Sequence, residues 1–253
     1  MQAQDVNGNG IPVLSITPLY FYTDSPTGEF STDGVNWSSA PFTTNIPAYA
    51  TSKNFFYRDS SLGAHNVVVR DDSVVNTDGS GTNVGWENDS VTITTAVGSA
   101  TKLALTGVPA NLSSDIVSSA ISISMQDVAG NNLTATQDKT VYLTSANNSI
   151  LFSTDGVNGF TNTLSTKILT GNLTAAVYVK SVASGSTNII LSDAYPADGA
   201  TGLLDDSKTI NITAGVPAKI ILTNAPSEVV AGAASDVFTV QLQDVNNNPS
   251  PAN

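Results

Sequence analysis

The sequence predicts an all-β protein built from tandem β-sandwich modules. Three observations predict this fold class: a composition rich in strand and turn formers, alternation of apolar and polar residues in short runs, and an internal repeat. Apolar residues make up 40% of the 253 residues and charged residues 12%, so packed cores with an Asn-, Ser-, Thr- and Gly-rich surface are expected. Thr, Val and Ile favour half-buried strands, whereas Asn, Gly, Asp and Pro favour turns.

Several short runs alternate with a period of two. Ile121, Ile123 and Met125 share one face of a run whose other face is small or polar. Such alternation indicates strands with one face inward and one face in water. In the middle of the chain, strands are predicted at TKLALTG, SSAISISMQD, KTVYLTS, ILFSTD, LTAAVYVKS, STNIILSD and KTINITAG. About seven strands in one unit is the number found in an immunoglobulin-like sandwich.

A polar motif recurs three times. It reads QDVNGNG from Gln4, QDVAGNN from Gln126 and QDVNNNP from Gln243. The first two copies are about 122 residues apart, and a shift of about 117 residues aligns the later parts of the two units. FSTDGVN also occurs twice, from Phe30 and from Phe152, and its Asp-Gly pair predicts a two-residue turn at a hairpin tip. The period is that of one sandwich domain rather than of a solenoid turn.

The positions of the repeated motifs along the chain predict three segments. Residues 1–97 form an incomplete immunoglobulin-like sandwich that lacks its first strands, and residues 98–214 form a complete one. Residues 215–253 supply the first two strands of a further unit. The fold class is therefore tandem immunoglobulin-like β-sandwiches, cut out of phase with the repeat.

Two interpretations of this phase remain open. In the first, the chain is an excerpt from a longer array. In the second, the two C-terminal strands complete the incomplete sandwich of another copy, because an open sheet edge accepts a further strand. The apolar residues expected to carry this head-to-tail strand complementation are Ala218, Ile220, Leu222, Val237, Val240 and Leu242.

The motifs resemble a known family. ATKLALTGVPA, followed by ISMQDVAGNNLT and FSTDGV, is similar to bacterial immunoglobulin-like repeats of the invasin/intimin type (group 1). This resemblance implies a structural module of a stalk, fibre or adhesin, placed outside the cell or at its surface. The alternative is a module that binds a glycan or host protein through loops at the sandwich end. Trp86, in the insert NTDGSGTNVGWEND, is the candidate binding residue for that alternative.

The charge balance restricts the partners. The formal net charge is −12 with only nine Lys and Arg, which disfavours nucleic acid and anionic membrane surfaces. The sequence has no apolar run long enough for a transmembrane helix, so membrane insertion is not expected. Cysteine is absent, which excludes disulfides. The expected partners are neighbouring copies of the chain or adjacent repeats.

Calcium is the one cofactor for which the sequence offers candidate ligands. Asp5-Val-Asn-Gly-Asn-Gly matches the start of an EF-hand loop, but the twelfth position is Ile16 instead of Glu, so a hairpin turn is predicted. Loop carboxylates at one sandwich end are the other candidates, either as calcium ligands or as solvated surface charges. These residues are Asp71, Asp72, Asp78, Asp89, Asp193, Asp205 and Asp206.

Enzymatic activity is not expected. His65 is the only histidine, and a catalytic triad needs a nucleophile with a positioned base. The three glutamates lie in separate segments, and no phosphate-binding glycine loop is present. An aromatic-rich stretch that includes Trp37 and residues 55–57 could form a sugar-binding surface, but we predict that it packs in a sandwich core.

Overall fold

The computed structural model describes residues 1–71 and 86–252, and it confirms the all-β fold. Every regular element in these ranges is a strand. The chain forms two compact units, Met1–Val97 (unit 1) and Gly98–Asn253 (unit 2). No helix long and apolar enough to cross a membrane occurs in the described ranges. Asp72 and Asp78, two of the predicted calcium ligands, lie outside the described residues.

Unit 1 contains two antiparallel sheets, one of four strands and one of three. Apolar side chains from both sheets form its core, which includes Leu19, Phe21, Phe30 and Val67. The aromatic-rich stretch belongs to this core only in part. Phe55 and Tyr57 pack against it, with the Phe55 ring 4.5 Å from that of Phe21, whereas Phe56 is 49% exposed and the Trp37 ring lies under the Arg58 guanidinium. The strands are β1 (Thr17–Thr23), β2 (Glu29–Ser31), β3 (Ser38–Ser39), β4 (Phe42–Ile46), β5 (Phe56–Arg58), β6 (Gly63–Arg70) and β7 (Asp89–Thr95). The sheet orders are β4-β1-β6-β7 and β3-β2-β5.

Unit 2 contains a sandwich followed by a hairpin. The sandwich strands are β8 (Lys102–Thr106), β9 (Asn111–Ser113), β10 (Ile121–Gln126), β11 (Asn132–Leu133), β12 (Lys139–Ser145), β13 (Ile150–Ser153), β14 (Leu164–Ile168), β15 (Thr174–Ser181), β16 (Gly185–Ser192) and β17 (Asp206–Thr213). The hairpin consists of β18 (Lys219–Asn224) and β19 (Thr239–Gln243), which pair antiparallel.

The two sheets of the sandwich join strands that are distant in sequence. One sheet has the order β11-β10-β15-β13, with β8 also paired to β10, and the other has the order β14-β12-β16-β17-β9. The pairings β10–β15 and β12–β16 are those of an immunoglobulin-like sandwich. The alternating residues face the core as predicted, and Ile121, Ile123, Ile189 and Ile210 are almost fully buried.

The seven strands predicted for the sandwich all form. Three further strands, β9, β11 and β14, were not predicted, because their five residues or fewer show little alternation. The two-residue turn predicted at Asp33-Gly34 is wrong. Glu29 pairs with Ser39, so the loop is longer, and the Asp33 carboxylate organises it by accepting the backbone N–H groups of Val35 and Asn36 at 2.8 Å each.

Replacing Ile210 with Ala is expected to lower the free energy of unfolding of unit 2 by about 2–5 kcal/mol, because the lost side chain leaves a cavity between the sheets. Thr209, its exposed neighbour on β17, is the matched control, and Thr209→Ala should cost less than about 1 kcal/mol. Urea unfolding followed by circular dichroism measures both variants. Equal losses would contradict the assigned faces of β17.

Candidate functional site

Each copy of the QDV motif forms the hairpin turn predicted from the sequence. The Asp carboxylate accepts the backbone N–H of the Asn four residues later. The N···O distance is 2.9 Å in all three copies: Asn9 to Asp5, Asn131 to Asp127 and Asn248 to Asp244. The Asp side chains therefore act as internal acceptors that close the turn.

In unit 2 the same carboxylate also holds a second chain segment. Gly98 donates its backbone N–H to Asp127 Oδ2 at 3.0 Å, and Gly215 donates to Asp244 Oδ2 at 2.9 Å. Both glycines lie four residues before the strand that opens the module, β8 or β18. The aspartate therefore fixes the start of a module to the turn that follows its second long strand.

The third copy of the motif also binds the preceding sandwich. The Asn248 amide donates to Ser114 Oγ at 3.1 Å and to the Val182 carbonyl at 2.8 Å, and its Oδ1 accepts the Ser184 N–H at 2.8 Å. Ser114 follows β9, whereas Val182 and Ser184 lie between β15 and β16. Asn248 thus links the hairpin segment to one end of the sandwich. We call Ser114, Val182, Ser184, Asp244 and Asn248 the joint.

The two side chains at the centre of the joint are buried, and one of them, Asp244, is ionised. Asp244 and Asn248 are almost fully inaccessible to solvent. Burial raises the pKa of Asp244, but hydrogen bonds from Asn248, Gly215 and Asn246 outweigh this effect and lower the pKa to about 2. At neutral pH the carboxylate is therefore charged and accepts all of these donors. A buried polar network with its members paired fixes one geometry.

The second feature is a groove of about 770 Å³ in unit 1, which is lined by both apolar and polar residues. Leu19, Phe21, Val67 and Val69 line its floor, and residues 86–91 line one side. The opposite side is formed by Met1–Val6, where Gln2 pairs with Ser52.

The repeat shows what occupies the corresponding place in unit 2. The Gln2–Ser52 pair aligns with the pair Ser124–Thr174 of β10 and β15. Met1–Gln4 therefore corresponds to the end of β10, and the groove beside it corresponds to the position of β8. Among the described residues of unit 1, no strand takes that position.

The hairpin β18–β19 presents the complementary surface. Lys219 pairs with Gln243 and Leu222 with Val240, which is the register of β8 and β10, where Lys102 pairs with Gln126. Its apolar face is open, with exposed fractions of 70% for Ile220, 57% for Leu222, 50% for Phe238 and 62% for Val240. The residues aligned with them are at most 2% exposed: Leu103, Leu105, Ile121 and Ile123.

The predicted self-assembly residues divide between two positions on this hairpin. Ile220, Leu222, Val240 and Leu242 align with core residues of the sandwich. Ala218 and Val237 lie just outside β18 and β19, and Val237 aligns with the exposed Ala120. Phe238, which the sequence analysis did not single out, aligns with Ile121. The sequence signal for it was the alternation Phe238-Val240-Leu242.

The acidic residues of unit 2 serve two purposes. Asp206 Oδ2 accepts the backbone N–H of Leu105 at 2.7 Å, and its Oδ1 accepts Lys208 at 2.8 Å. Asp206 is thus an anchor for β8. Oxygens of Asp193, Asp198 and Asp205 lie within 4.8 Å of one another and could hold a cation. Asp198 was missed by the sequence analysis.

Two buried carboxylate oxygens of this acidic cluster could serve as ligands for a hard cation. Asp193 Oδ2 is paired with Lys139 at 2.6 Å, and the Asp193 side chain is only 9% exposed. Within the described part of the chain, neither Asp193 Oδ1 nor Asp205 Oδ1 has a hydrogen-bond partner, although both atoms are buried. Calcium binds carboxylate oxygens in irregular geometry. Burial raises the pKa of Asp193, but the Lys139 hydrogen bond and ion pair outweigh it, so the pKa is lowered overall.

The remaining candidate residues lie at the groove of unit 1. Asp71, Trp86 and Asp89 all line it, and the Trp86 backbone N–H donates to Asp71 Oδ2 at 2.9 Å. Asp89 aligns with Asp206. His65 lies on β6, with Nδ1 3.5 Å from Asp24. Trp86, the predicted binding residue, therefore lies at the same groove as the predicted assembly surface.

Comparisons with known proteins give remote similarities. A scan against protein-family models finds no match, and neither does a search of curated proteins. Domains 4–9 of the surface layer protein SbsC are 16% identical, with a TM-score of 0.31, over 99% of this chain and 31% of that chain. A glycosyl hydrolase family 2 member from Bacteroides cellulosilyticus is 14% identical, with a TM-score of 0.35, over 84% of this chain and 24% of that chain. This chain thus spans less than a third of either structure, and similarity at this level does not assign a function.

Asp244→Asn is expected to destabilise the joint by about 1–3 kcal/mol at pH 7, because a charged acceptor of several hydrogen bonds is lost. Its folded pKa of about 2 lies below the ordinary value of 3.8, so the carboxylate contributes stability above about pH 4 and loses it as the pH falls towards 2. Urea unfolding at several pH values should show the wild-type advantage over Asp244→Asn shrinking in this window. A constant difference would contradict the role of the charge.

Calcium is expected to raise the melting temperature of the chain, because it would neutralise the acidic cluster and coordinate its unpartnered oxygens. Asp205→Asn should reduce this rise. Asp115→Asn is the control, since Asp115 is exposed and its φ of 65° is one that Asn tolerates. A rise of equal size in all three proteins would place the calcium elsewhere, and no rise in the wild type would remove calcium from the account.

Proposed function

We propose that this chain is a structural module of an extracellular or cell-surface stalk or fibre, of the kind that the resemblance to invasin/intimin-type repeats implies. Its function is mechanical: it extends and spaces, and it joins copies or repeats end to end. No catalytic step is part of this proposal. The observation that carries it is the joint, in which the third copy of the recurring QDV motif docks on the preceding sandwich.

The chemistry of the joint supports a fixed connection between consecutive modules. Asn248 reaches three groups of the preceding sandwich, while Asp244 holds both Asn248 and Gly215. The segment between β17 and β18 is only five residues long, from Ala214 to Ala218. A short connection combined with buried hydrogen bonds restricts rotation between modules. Restricted rotation keeps the two ends of a stalk at a fixed separation.

The surface composition also suits this role. The low number of Lys and Arg and the many Thr, Asn and Ser residues keep a net charge of −12 without basic patches that would bind nucleic acid or anionic lipid. Within this proposal, the chain contacts its neighbours through strand and turn surfaces. Proteolysis of intact source cells tests the location, since a surface protein should be cut without cell lysis.

Distance measurements test the rigidity of the joint. The chain has no cysteine, so spin labels can be placed at Ser165→Cys on β14 and Thr223→Cys on β18, both of which are exposed. Pulsed electron spin resonance should give a narrow distance distribution, which Asn248→Ala should broaden severalfold. Val245→Ala, at an exposed position of the same turn, should leave it narrow. A broad distribution in the parent protein would contradict a rigid stalk.

A further inference from the structure

We propose that the β18–β19 hairpin of a second copy of this chain inserts into the groove of unit 1 and replaces Met1–Gly10 there. This inference rests on the proposed end-to-end function and names the partner and the register of the contact. The inserted hairpin takes the positions that β8 and β10 hold in the sandwich of unit 2.

The hairpin presents its apolar residues in the arrangement that insertion requires over most of its length. Lys219 to Leu222 pair with Gln243 to Val240 in the register of β8 and β10, which puts the apolar side chains of both strands on one face. Beyond Leu222 the register shifts, so that Asn224 lies opposite Thr239, and insertion requires this end of the hairpin to move by one residue. Four of these side chains are at least half exposed, whereas their counterparts in the sandwich are buried. An exposed apolar strand pair of this kind is a surface that favours association.

The groove offers the surfaces that these side chains contact in a complete sandwich. Its floor residues Val67 and Val69 align with Ile189 and Leu191, which belong to the same core cluster as Leu103 and Leu105. Ile220 and Leu222 align with those two leucines. Inserted β18 would therefore place branched side chains of closely similar size against this floor, where Val67 is already buried and Val69 is still partly exposed.

Polar groups at the rim of the groove are placed to pair with β18. In the sandwich, Leu105 N–H donates to Asp206 and Leu103 N–H donates to the Leu204 carbonyl. The aligned groups in unit 1 are the carboxylate of Asp89 and the carbonyl of Glu87, and both residues line the groove. They would accept the N–H groups of Leu222 and Ile220 from the second copy.

Insertion requires an exchange of strands. Met1–Gln4 holds the place of Val240–Gln243 through a few backbone hydrogen bonds, including Ala3 N–H to the Thr51 carbonyl at 2.8 Å. The incoming strand can make the same backbone bonds. It also puts Leu242 in place of Ala3 and adds Phe238, so more apolar surface leaves water. The hydrophobic term therefore favours the exchange.

The same contact can be repeated from one copy of the chain to the next. The donor hairpin stays attached to its own sandwich through the joint, so the completed unit continues the repeat from one copy into the next. The groove and the hairpin are different surfaces of the chain. Such a heterologous contact need not close on itself and gives a linear fibre.

Disulfide trapping tests the register directly. Thr239 and Asn54 align with Ser122 and Ala176, which face each other across β10 and β15. A mixture of the single variants Thr239→Cys and Asn54→Cys should give a mixed disulfide dimer on oxidation. Phe56→Cys, two residues further along the chain at the start of β5, is the register control and should give much less. Equal trapping with both partners, or none with Asn54→Cys, would overturn the proposal.

Association measurements separate this proposal from the stalk function. Light scattering after size-exclusion chromatography should show oligomers whose mass rises with concentration. Leu222→Asp should abolish them, and Thr223→Asp, on the opposite face of β18, should not. Removal of residues 1–10 should strengthen association by at least tenfold, because the competing strand is gone. A monomer at all concentrations, even after this removal, would overturn insertion, while the distance distribution across the joint would still report on the stalk.

Discussion

Burial of the apolar face between the two sheets is the constraint on which this structure depends. In the sandwich of unit 2, β8 and β10 cover that face, and Leu103, Leu105, Ile121 and Ile123 are almost inaccessible to solvent. In unit 1 the corresponding face borders a groove of about 770 Å³, and the corresponding strand pair is the exposed hairpin of unit 2. The groove and the exposed apolar face of the hairpin are the two surfaces that the proposed strand exchange would bring together.

The Asp–Asn turn gives a second constraint, because it sets where one module ends and the next begins. A hydrogen-bonded carboxylate closes the turn, fixes a glycine before the opening strand, and presents Asn248 to the preceding sandwich. A calcium loop would use such a carboxylate for a metal, whereas here backbone and amide N–H groups satisfy it. In all three copies the aspartate is thus a hydrogen-bond acceptor that closes its own turn, and the acidic cluster around Asp193 is a separate feature of the sandwich.

The sequence predicted the strands and the repeat well, because both depend on local patterns. Alternation identified β10 and β17, and the repeated motif located the module phase. The joint could not be predicted, because Ser114 and Val182 contact Asn248 across more than sixty residues of sequence. Asp198 was missed for a similar reason: only the folded loop brings it to Asp193 and Asp205. The sequence analysis grouped Asp206 with the calcium candidates. Its role as an anchor for β8 depends on the hydrogen bond from the Leu105 N–H, which joins residues that are about a hundred positions apart in sequence.

The most direct test of the account is an experimental structure of the assembled chain, by electron cryomicroscopy of the oligomers or by crystallography at high concentration. The account predicts that β18 and β19 of one copy lie in the groove of another, with Leu222 over Val67 and Thr239 beside Asn54, and that Met1–Gly10 is displaced. A structure in which the hairpin face stays in solvent while Met1–Gln4 remains paired with Ser52 would contradict it.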